Sequence, residues 1–159
     1  MASPQPGDTP SVDCYWHQWQ ALIRSGEVLW AAVTRRVAKV TDLAPAEWRV
    51  LDMIGCTGSM RISDVAELTQ IGMSTVSRQV NKLIDQGYLQ VCDEQPEDGR
   101  QKWVRLTAEG RAELTPIQQA RDGAVRELMM DQMSPSEWSS LCASFERFRL
   151  RAEQELAED

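Results

Sequence analysis

The chain contains at residues 61–107 the sequence RISDVAELTQIGMSTVSRQVNKLIDQGYLQVCDEQPEDGRQKWVRLT. Two short helix patterns joined by a tight turn come first, followed by a strand, a polar loop with one arginine, a second strand and a helix cap. This order of elements is typical of a winged helix-turn-helix, a module for reading DNA. The sequence therefore predicts a mainly α fold with a small β-hairpin wing, α+β in class.

The second helix pattern in this stretch has two distinct faces. Four apolar residues at positions i, i+4, i+7 and i+8 form one stripe: Val76, Val80, Leu83 and Ile84. The opposite face carries short hydroxyls and cations: Ser74, Thr75, Ser77, Arg78 and Lys82. Such residues reach base edges and phosphates when the N-terminal part of a helix lies in a major groove. We therefore expect this helix to contact DNA.

The charge of the chain limits how it can bind DNA. A net charge of −7 argues against coating nucleic acid by bulk electrostatics, because phosphate neutralisation needs clustered Lys and Arg. Residues 61–107 hold six basic residues against seven acidic ones, and the cations lie on the expected contact elements. We expect weak non-specific binding and steep salt sensitivity.

Several other protein classes are disfavoured by the composition. The four cysteines form no C-x-x-C pair, which argues against a disulfide framework, a zinc site or another metal site. No apolar run reaches the ~18 residues of a membrane span, and the N-terminus lacks the pattern of a signal peptide. We expect a cytoplasmic protein with no cofactor and no membrane partner.

Long helices are predicted on both sides of the module. Residues 1–11 are predicted to be a disordered tail, and apolar residues at helical spacing predict one helix over 12–40. At ~1.5 Å per residue this helix is about 40 Å long, too long for a small domain to cover. We expect residues 12–42 and 108–159 to form a helical dimerisation region around a DNA-binding domain at 43–107.

Two helix starts follow from local signals. The segments LAPAEW (43–48) and MSPSEW (133–138) each place Pro at the first helical position and an apolar residue before the cap, facing a Trp. The first helix is expected to reach about Gly55. A further helix is predicted from Glu109 to about Met130, with a kink or break at Pro116, and the wing strands are predicted at 88–92 and 102–106.

The chain resembles the MarR family of transcriptional regulators. The resemblance rests on the segments LAPAEWRVLDMI, ISDVAELTQIGMSTVSRQVNKLIDQGYL and DGRQKWVRLTAEGR with helices at both ends, and it covers about residues 15–155. It implies a homodimer whose first and last helices entwine with those of the partner. It also implies a repressor that is released by a small molecule or by oxidation. Because a dimer places two recognition helices about one DNA turn apart, we expect its partner to be double-stranded DNA with a pseudopalindromic operator.

The candidate DNA contacts have alternative interpretations. Arg78 either bonds guanine or contacts a phosphate. Arg100 matches the wing arginine that such regulators place in the minor groove, and it is also close enough in sequence to pair with Asp98. Ser74, Thr75 and Ser77 either read bases or act as helix caps.

A small aromatic or anionic effector is the second expectation. Trp16, Trp19 and Trp30 share one helical face, which is compatible with an effector cage but is more typical of a dimer core. In relatives that bind aromatic acids, the ligand lies between the first two helices, the fifth helix and the DNA-binding lobe. By that resemblance Trp16, Trp48 and Arg49 are candidates for lining a pocket.

Three other hypotheses remain open at this point. Cys14, followed by an aromatic residue, resembles the peroxide-sensing cysteine of one branch of the family. An enzyme finds little support, because the chain has one His and no G-x-S-x-G or phosphate-loop motif. A winged-helix interaction module without DNA binding would have no reason to keep Arg78, Lys82 and Arg100 at exposed positions.

Overall fold

The computed structural model describes residues 12–69, 71–92 and 102–158. Its elements are α1 (Val12–Val37), α2 (Pro45–Thr57), β1 (Ser59–Arg61), α3 (Ile62–Thr69), α4 (Met73–Asp85), β2 (Leu89–Cys92), β3 (Trp103–Leu106), α5 (Ala108–Leu128), a 3₁₀ turn (Met130–Gln132) and α6 (Pro135–Ala157). The predicted fold class, mainly helical with a small antiparallel sheet, is confirmed. The tail at 1–11 and the wing tip at 93–101 lie outside the described residues.

The sheet has one strand more than the predicted hairpin. Its order is β1-β3-β2, and both pairs are antiparallel, with Val104 of β3 opposite Met60 on one side and Val91 on the other. The prediction of two strands was therefore incomplete. The third strand is only three residues long, too short to show an alternating pattern, and it forms because β3 offers a free edge.

The core lies between α2, α4, α5 and the sheet. The apolar stripe predicted for α4 is confirmed, since Val76, Val80 and Leu83 are fully buried. They pack in one cluster with residues of the neighbouring elements, among them Leu51 of α2 and Ile117 of α5. This packing gives α4 a fixed inner face and leaves its other face to solvent.

The two predicted helix starts are confirmed. Pro45 begins α2 and the Glu47 carboxylate accepts a 2.9 Å hydrogen bond from the Ala44 N–H. Pro135 begins α6, where Ser134 and Glu137 complete a capping box. α2 continues two residues beyond Gly55, because that glycine sits inside the helix against Leu114, and the helix ends before Gly58, which has a φ of 85°.

Of the two alternatives predicted at Pro116, the break is wrong, because α5 runs through that residue, and the kink stays a prediction. Proline removes one backbone hydrogen bond, but Leu114 and Ile117 on either side of it are buried in the core. Tertiary packing of these neighbours offsets the local cost and keeps the helix continuous.

α1 ends three residues earlier than predicted. The N–H of Lys39 donates to Arg36 and the N–H of Val40 donates to Val37, so the spacing tightens from four residues to three. The linker to α2 then begins, and the Thr41 hydroxyl donates a 2.5 Å hydrogen bond to Glu113 of α5. Binding of the linker to α5 explains why the helical pattern does not continue.

The two helical arms, α1 and α6, differ in how much of their surface is covered by the rest of the protein. The C-terminal part of α1 packs on α5, where Val33 and Val37 are buried and Arg36 pairs with Glu127 at 2.6 Å. None of the residues of α6 is buried. Large apolar side chains stay exposed on both arms: Tyr15, Trp16, Trp19, Leu22, Ile23, Val28, Trp30, Phe145, Phe148, Leu150 and Leu156. Within the described residues, no helix combines the length and apolarity needed to cross a membrane.

The sheet is joined closely to the start of α5. The Thr107 hydroxyl caps this helix by accepting from the Gly110 N–H at 2.9 Å and donates to the Gly87 carbonyl at 2.6 Å. A Cβ built on Gly110 would overlap the backbone carbonyl of Tyr88. Only glycine allows this approach, so the start of α5 meets the backbone of the residue just before β2.

Candidate nucleic-acid interface and adjoining pocket

The outer face of α4 carries four of the predicted contact residues. Ser74 and Arg78 are exposed, while Thr75 and Ser77 are half-buried. The N-cap position belongs to Gly72, whose carbonyl accepts from the N–H groups of Thr75 and Val76. None of the three hydroxyl residues is therefore the N-cap residue of this helix. Their N-terminal position on it suits contact with phosphates or base edges.

Lys82, the fifth predicted contact residue on α4, has a partner within the protein. Its ammonium donates to the carboxylate of Glu47 on α2. The lysine side chain is 54% exposed and the Glu47 side chain only 4%. A phosphate contact by Lys82 stays a prediction, because its exposed ammonium has further donors to offer.

Glu47 is a residue whose full role the sequence pattern did not indicate. Burial would raise the pKa of its carboxyl, but the hydrogen bonds from Lys82 and from the Ala44 N–H outweigh burial and lower the pKa below its ordinary value. The carboxylate is therefore held in its charged form beside α4. Its position in the first turn of α2 indicated only a capping role, because the partner is 35 residues away.

The base of the wing is basic on its outer face. Arg61 of β1 lies opposite Trp103 of β3, and its guanidinium carbon is 5.1 Å from the indole ring centre. Lys102 and Arg105 are exposed on the same hairpin. Arg100, the predicted minor-groove contact, lies outside the described residues, so its contact stays a prediction.

A cavity of about 200 Å³ lies between α1, α2, α3 and α5. Its lining residues are Trp30, Trp48, Arg49, Asp52, Met53, Leu68, Thr69 and Arg121. The predicted pocket residues Trp48 and Arg49 are therefore brought together. The third, Trp16, is 59% exposed on the N-terminal part of α1 and does not line the cavity.

Aromatic rings form one wall of the cavity. The ring centres of Trp30 and Trp48 are 5.5 Å apart, and the guanidinium carbon of Arg49 lies 5.3 Å from the centre of the Trp30 ring. Arg49 also donates a 2.6 Å hydrogen bond to the carbonyl of Thr69. The guanidinium is thus fixed between the rings of the arm and the end of α3.

A second charged group completes the cavity wall. Asp52 of α2 accepts hydrogen bonds from Arg121 and from Gln118 of α5, the latter at 3.0 Å. Burial would lower the pKa of Arg121, but hydrogen bonds to Asp122 and Asp52 outweigh it and raise the pKa. The sequence pattern did not indicate Asp52, Arg121 or Trp30 as pocket residues, because three separate helices bring them together.

The cysteines are all unbonded to one another. Cys14 is half-buried on α1, and its sulfur accepts a 3.4 Å hydrogen bond from the Gln18 amide. In the described part of the chain, no group of three or more His, Cys, Asp or Glu residues is arranged to hold a metal ion. A peroxide-sensing role for Cys14 stays a prediction.

Comparison with known proteins agrees with this architecture. Residues 41–101 match the model of the MarR family. The chain is similar to Sco3205, a MarR family transcriptional regulator from Streptomyces coelicolor solved in complex with DNA, with 23% identity, coverage of 87% of this chain and 89% of that one, and a TM-score of 0.74. No curated protein sequence gives a significant match.

Two more solved structures are similar to this chain. AbsC, a MarR family transcriptional regulator from Streptomyces coelicolor, has 17% identity, coverage of 94% of this chain and 99% of that one, and a TM-score of 0.78. A probable transcriptional regulator from Pseudomonas aeruginosa has 26% identity, coverage of 80% and 93%, and a TM-score of 0.64.

The fold thus defines a winged helix-turn-helix protein with helical arms at both ends. The matched segment spans α2, the helix-turn-helix and the first part of the wing, and the solved structures cover the arms as well. Residues 41–101 thus match the MarR family model, and the fold over most of the chain is that of solved MarR family regulators.

Proposed function

We propose that this protein is a homodimeric, sequence-specific DNA-binding transcription regulator. The observation that carries the proposal is the outer face of α4, where Ser74 and Arg78 are exposed directly opposite a fully buried stripe. A helix held this rigidly can present the same side chains to a major groove each time it binds. Sco3205 and a mutant of MarR from E. coli, both with this fold, were solved bound to DNA.

The proposed contacts divide into two kinds. Those on α4 are Ser74, Thr75, Ser77, Arg78 and Lys82, and the contact from the wing is Arg100. Arg78 reads a base edge in the major groove, while Arg100 enters the minor groove and the remaining groups fix the helix on the phosphates. Lys102 and Arg105 add positive charge at the base of the same wing.

The dimer follows from the exposed arms. The apolar side chains of α1 and α6 form more exposed apolar surface than a soluble monomer usually carries. An isologous contact between two copies covers both arms at once and places two copies of α4 about one DNA turn apart, ~34 to 36 Å. The operator is then a pseudopalindrome.

The regulator is proposed to act as a repressor that a small aromatic or anionic effector releases. The cavity offers tryptophan rings and two guanidinium groups, Arg49 and Arg121, against the single carboxylate of Asp52. A volume of about 200 Å³ restricts the ligand to roughly the size of a single-ring acid. Such a ligand releases DNA only if it binds better to a conformation with wrongly spaced α4 helices.

A selection experiment tests the proposal. Fragments of the organism's own DNA that bind the purified protein are recovered, and a labelled duplex from them is titrated at two salt concentrations beside a duplex of shuffled sequence. We expect binding that prefers the recovered duplex and weakens steeply with salt. Equal binding of both duplexes, or binding of neither, would exclude sequence-specific regulation.

A further inference from the structure

The carboxylate of Glu47 is buried more deeply than helix capping requires. The chain contains a matched example, because Glu137 at the start of α6 accepts a 2.8 Å hydrogen bond from the Ser134 N–H in the same capping arrangement. Glu137 is exposed, whereas the Glu47 side chain is 4% exposed. Since capping works without burial, the burial of Glu47 is associated with its second contact, the Lys82 ammonium on α4.

The position of this ion pair gives it a mechanical consequence. Lys82 lies in the last turn of α4, one helical turn after Arg78 and on the same side of the helix. The apolar stripe determines which face of α4 meets the core. The charged hydrogen bond to Glu47 is directional, so it adds a second restraint on the rotation of α4 about its axis and on the direction in which Arg78 points.

The ion pair also joins α4 to the start of α2, next to the linker at residues 38–44 that connects α1 with the winged helix-turn-helix. Glu47 lies in the first turn of α2, four residues after the linker residue Leu43. The Leu43 N–H donates to the Thr41 hydroxyl at 3.2 Å. Thr41 in turn is bonded to Glu113 of α5. These groups line a cavity of about 350 Å³ between the linker, α2, α4 and α5, and this cavity is partly open to solvent.

We propose that Glu47 is a positioning residue for DNA recognition, which sets the orientation of α4 through Lys82. The proposal rests on the proposed function of α4 as the DNA-reading helix. It gives an acidic residue, which repels DNA by its charge, a favourable effect on operator binding. The negative charge of Glu47 and its positioning role therefore have opposite effects on operator affinity, and this difference can be tested.

The first variant is Glu47→Gln. The amide keeps the length of the side chain and one oxygen that accepts from the Ala44 N–H. The charge is lost, and the NH2 group that replaces the other oxygen cannot accept from the Lys82 ammonium. Charge alone predicts tighter binding to all DNA, because the protein becomes less negative. The positioning role instead predicts a loss of preference for the operator. The affinity for the recovered duplex divided by the affinity for the shuffled duplex falls by about tenfold, while binding of the shuffled duplex does not weaken.

Asp85→Asn is the matched control. Asp85 is exposed, lies on the same helix three residues from Lys82, and loses the same charge. It is expected to leave the affinity ratio of the two duplexes unchanged. A fall in this variant equal to that of Glu47→Gln would show that loss of any acidic group near α4 lowers the ratio, and it would overturn the proposal.

The double variant Glu47→Gln/Lys82→Met is the second test. It keeps the net charge of the parent and leaves no unpaired buried charge, so it is expected to fold. Positioning predicts the same loss of affinity ratio as in Glu47→Gln. If Lys82 acts only as a phosphate contact, the double variant instead weakens both duplexes alike and the salt slope becomes shallower.

The outcomes separate this inference from the proposed function. Folding of each variant is checked by its thermal unfolding followed by circular dichroism. A parent that prefers no duplex overturns the regulator function itself, and the inference with it. A selective parent whose folded Glu47→Gln and double variants keep the full affinity ratio overturns the positioning role alone.

Discussion

Arg49 and Thr69 are joined by a 2.6 Å hydrogen bond from the Arg49 guanidinium to the Thr69 carbonyl. Thr69 is the last residue of α3, and the turn to α4 follows it. The same guanidinium lies over the Trp30 ring and lines the cavity proposed for the effector. An anion bound there would share the Arg49 guanidinium with the Thr69 carbonyl, so we expect occupancy of the cavity and the geometry of the turn to be linked.

Removing this guanidinium is expected to uncouple the cavity from DNA binding. In Arg49→Gln, release of the operator by salicylate is expected to need a roughly tenfold higher concentration, because a charged hydrogen bond to the carboxylate is lost. The measurement is competition between salicylate and the labelled operator. Arg24→Gln, an exposed position on α1, serves as control; equal salicylate response in Arg49→Gln and the parent would remove Arg49 from the effector site.

Arg78→Ala is expected to weaken operator binding by about 1 to 3 kcal/mol, since a bidentate contact to a base or a phosphate contact is lost. If the contact is to guanine, preference at one base pair relaxes as well. Fluorescence anisotropy with a set of single-base operator variants measures both effects. The comparison is Arg126→Ala, which removes an exposed arginine from α5. Unchanged operator affinity in Arg78→Ala would mean that α4 does not read the groove.

The oligomeric state is expected to depend on the apolar faces of the arms. The parent should have a mass of twice 18.0 kDa in light scattering at micromolar concentration. Trp19→Glu places a charge among the exposed apolar residues of α1 and should shift the protein toward monomer, because burying an unpaired charge is costly. Gln119→Glu on an exposed site of α5 should remain dimeric. A monomeric parent would contradict the dimer.

The ion pair of Glu47 is expected to appear in the pH dependence of folding. Its pKa is lower in the folded protein than the ordinary 4.5, so its stabilisation is present above that value and is lost as the pH falls through the folded pKa. At neutral pH, Glu47→Gln should reduce the free energy of unfolding by about 1 to 3 kcal/mol. Denaturant unfolding at pH 7 and below pH 4.5 measures the difference between parent and variant, which should shrink at acid pH. A difference independent of pH would contradict the ion pair.

Peroxide and salicylate distinguish the two proposed ways of release. If Cys14 were the sensor, peroxide would release the operator from the parent and not from Cys14→Ser. We expect salicylate to release both proteins and peroxide to release neither. Cys56→Ser, which changes an exposed cysteine on α2, controls for general thiol damage. Release by peroxide that vanishes only in Cys14→Ser would reverse the order of the two hypotheses.

The parts of the fold that were predictable from sequence depend on local signals. Pro45 and Ser134 mark helix starts because capping involves residues within one turn, and the α4 stripe shows in its own periodicity. The strand β1 was missed because its pairing with β3 joins residues more than forty positions apart. The break that local rules allowed at Pro116 is absent, because the packing of distant elements outweighs the preference of the residue itself.

The candidate site, like the fold, was predictable from sequence only where the signal is local. Helical periodicity places Trp16 and Trp30 on a common face of α1, but it does not say which level of that helix faces α2. Only the packed structure shows that Trp30 meets Trp48. The partner of Lys82 was equally hidden, because a buried Glu47 across two helices leaves no pattern in the sequence.

The close approach of Gly110 to the Tyr88 carbonyl bears on how the protein leaves its DNA. Because no space is left between Tyr88, which precedes β2, and the start of α5, we expect β2 and α5 to move together. α4 leads into β2 through Gly87, where a φ of 80° and a hydrogen bond from its N–H to Ile84 set a tight turn. If α4 and the wing contact DNA as proposed, the major-groove and minor-groove contacts are expected to break together, so that operator dissociation follows a single exponential with no intermediate held by the wing alone.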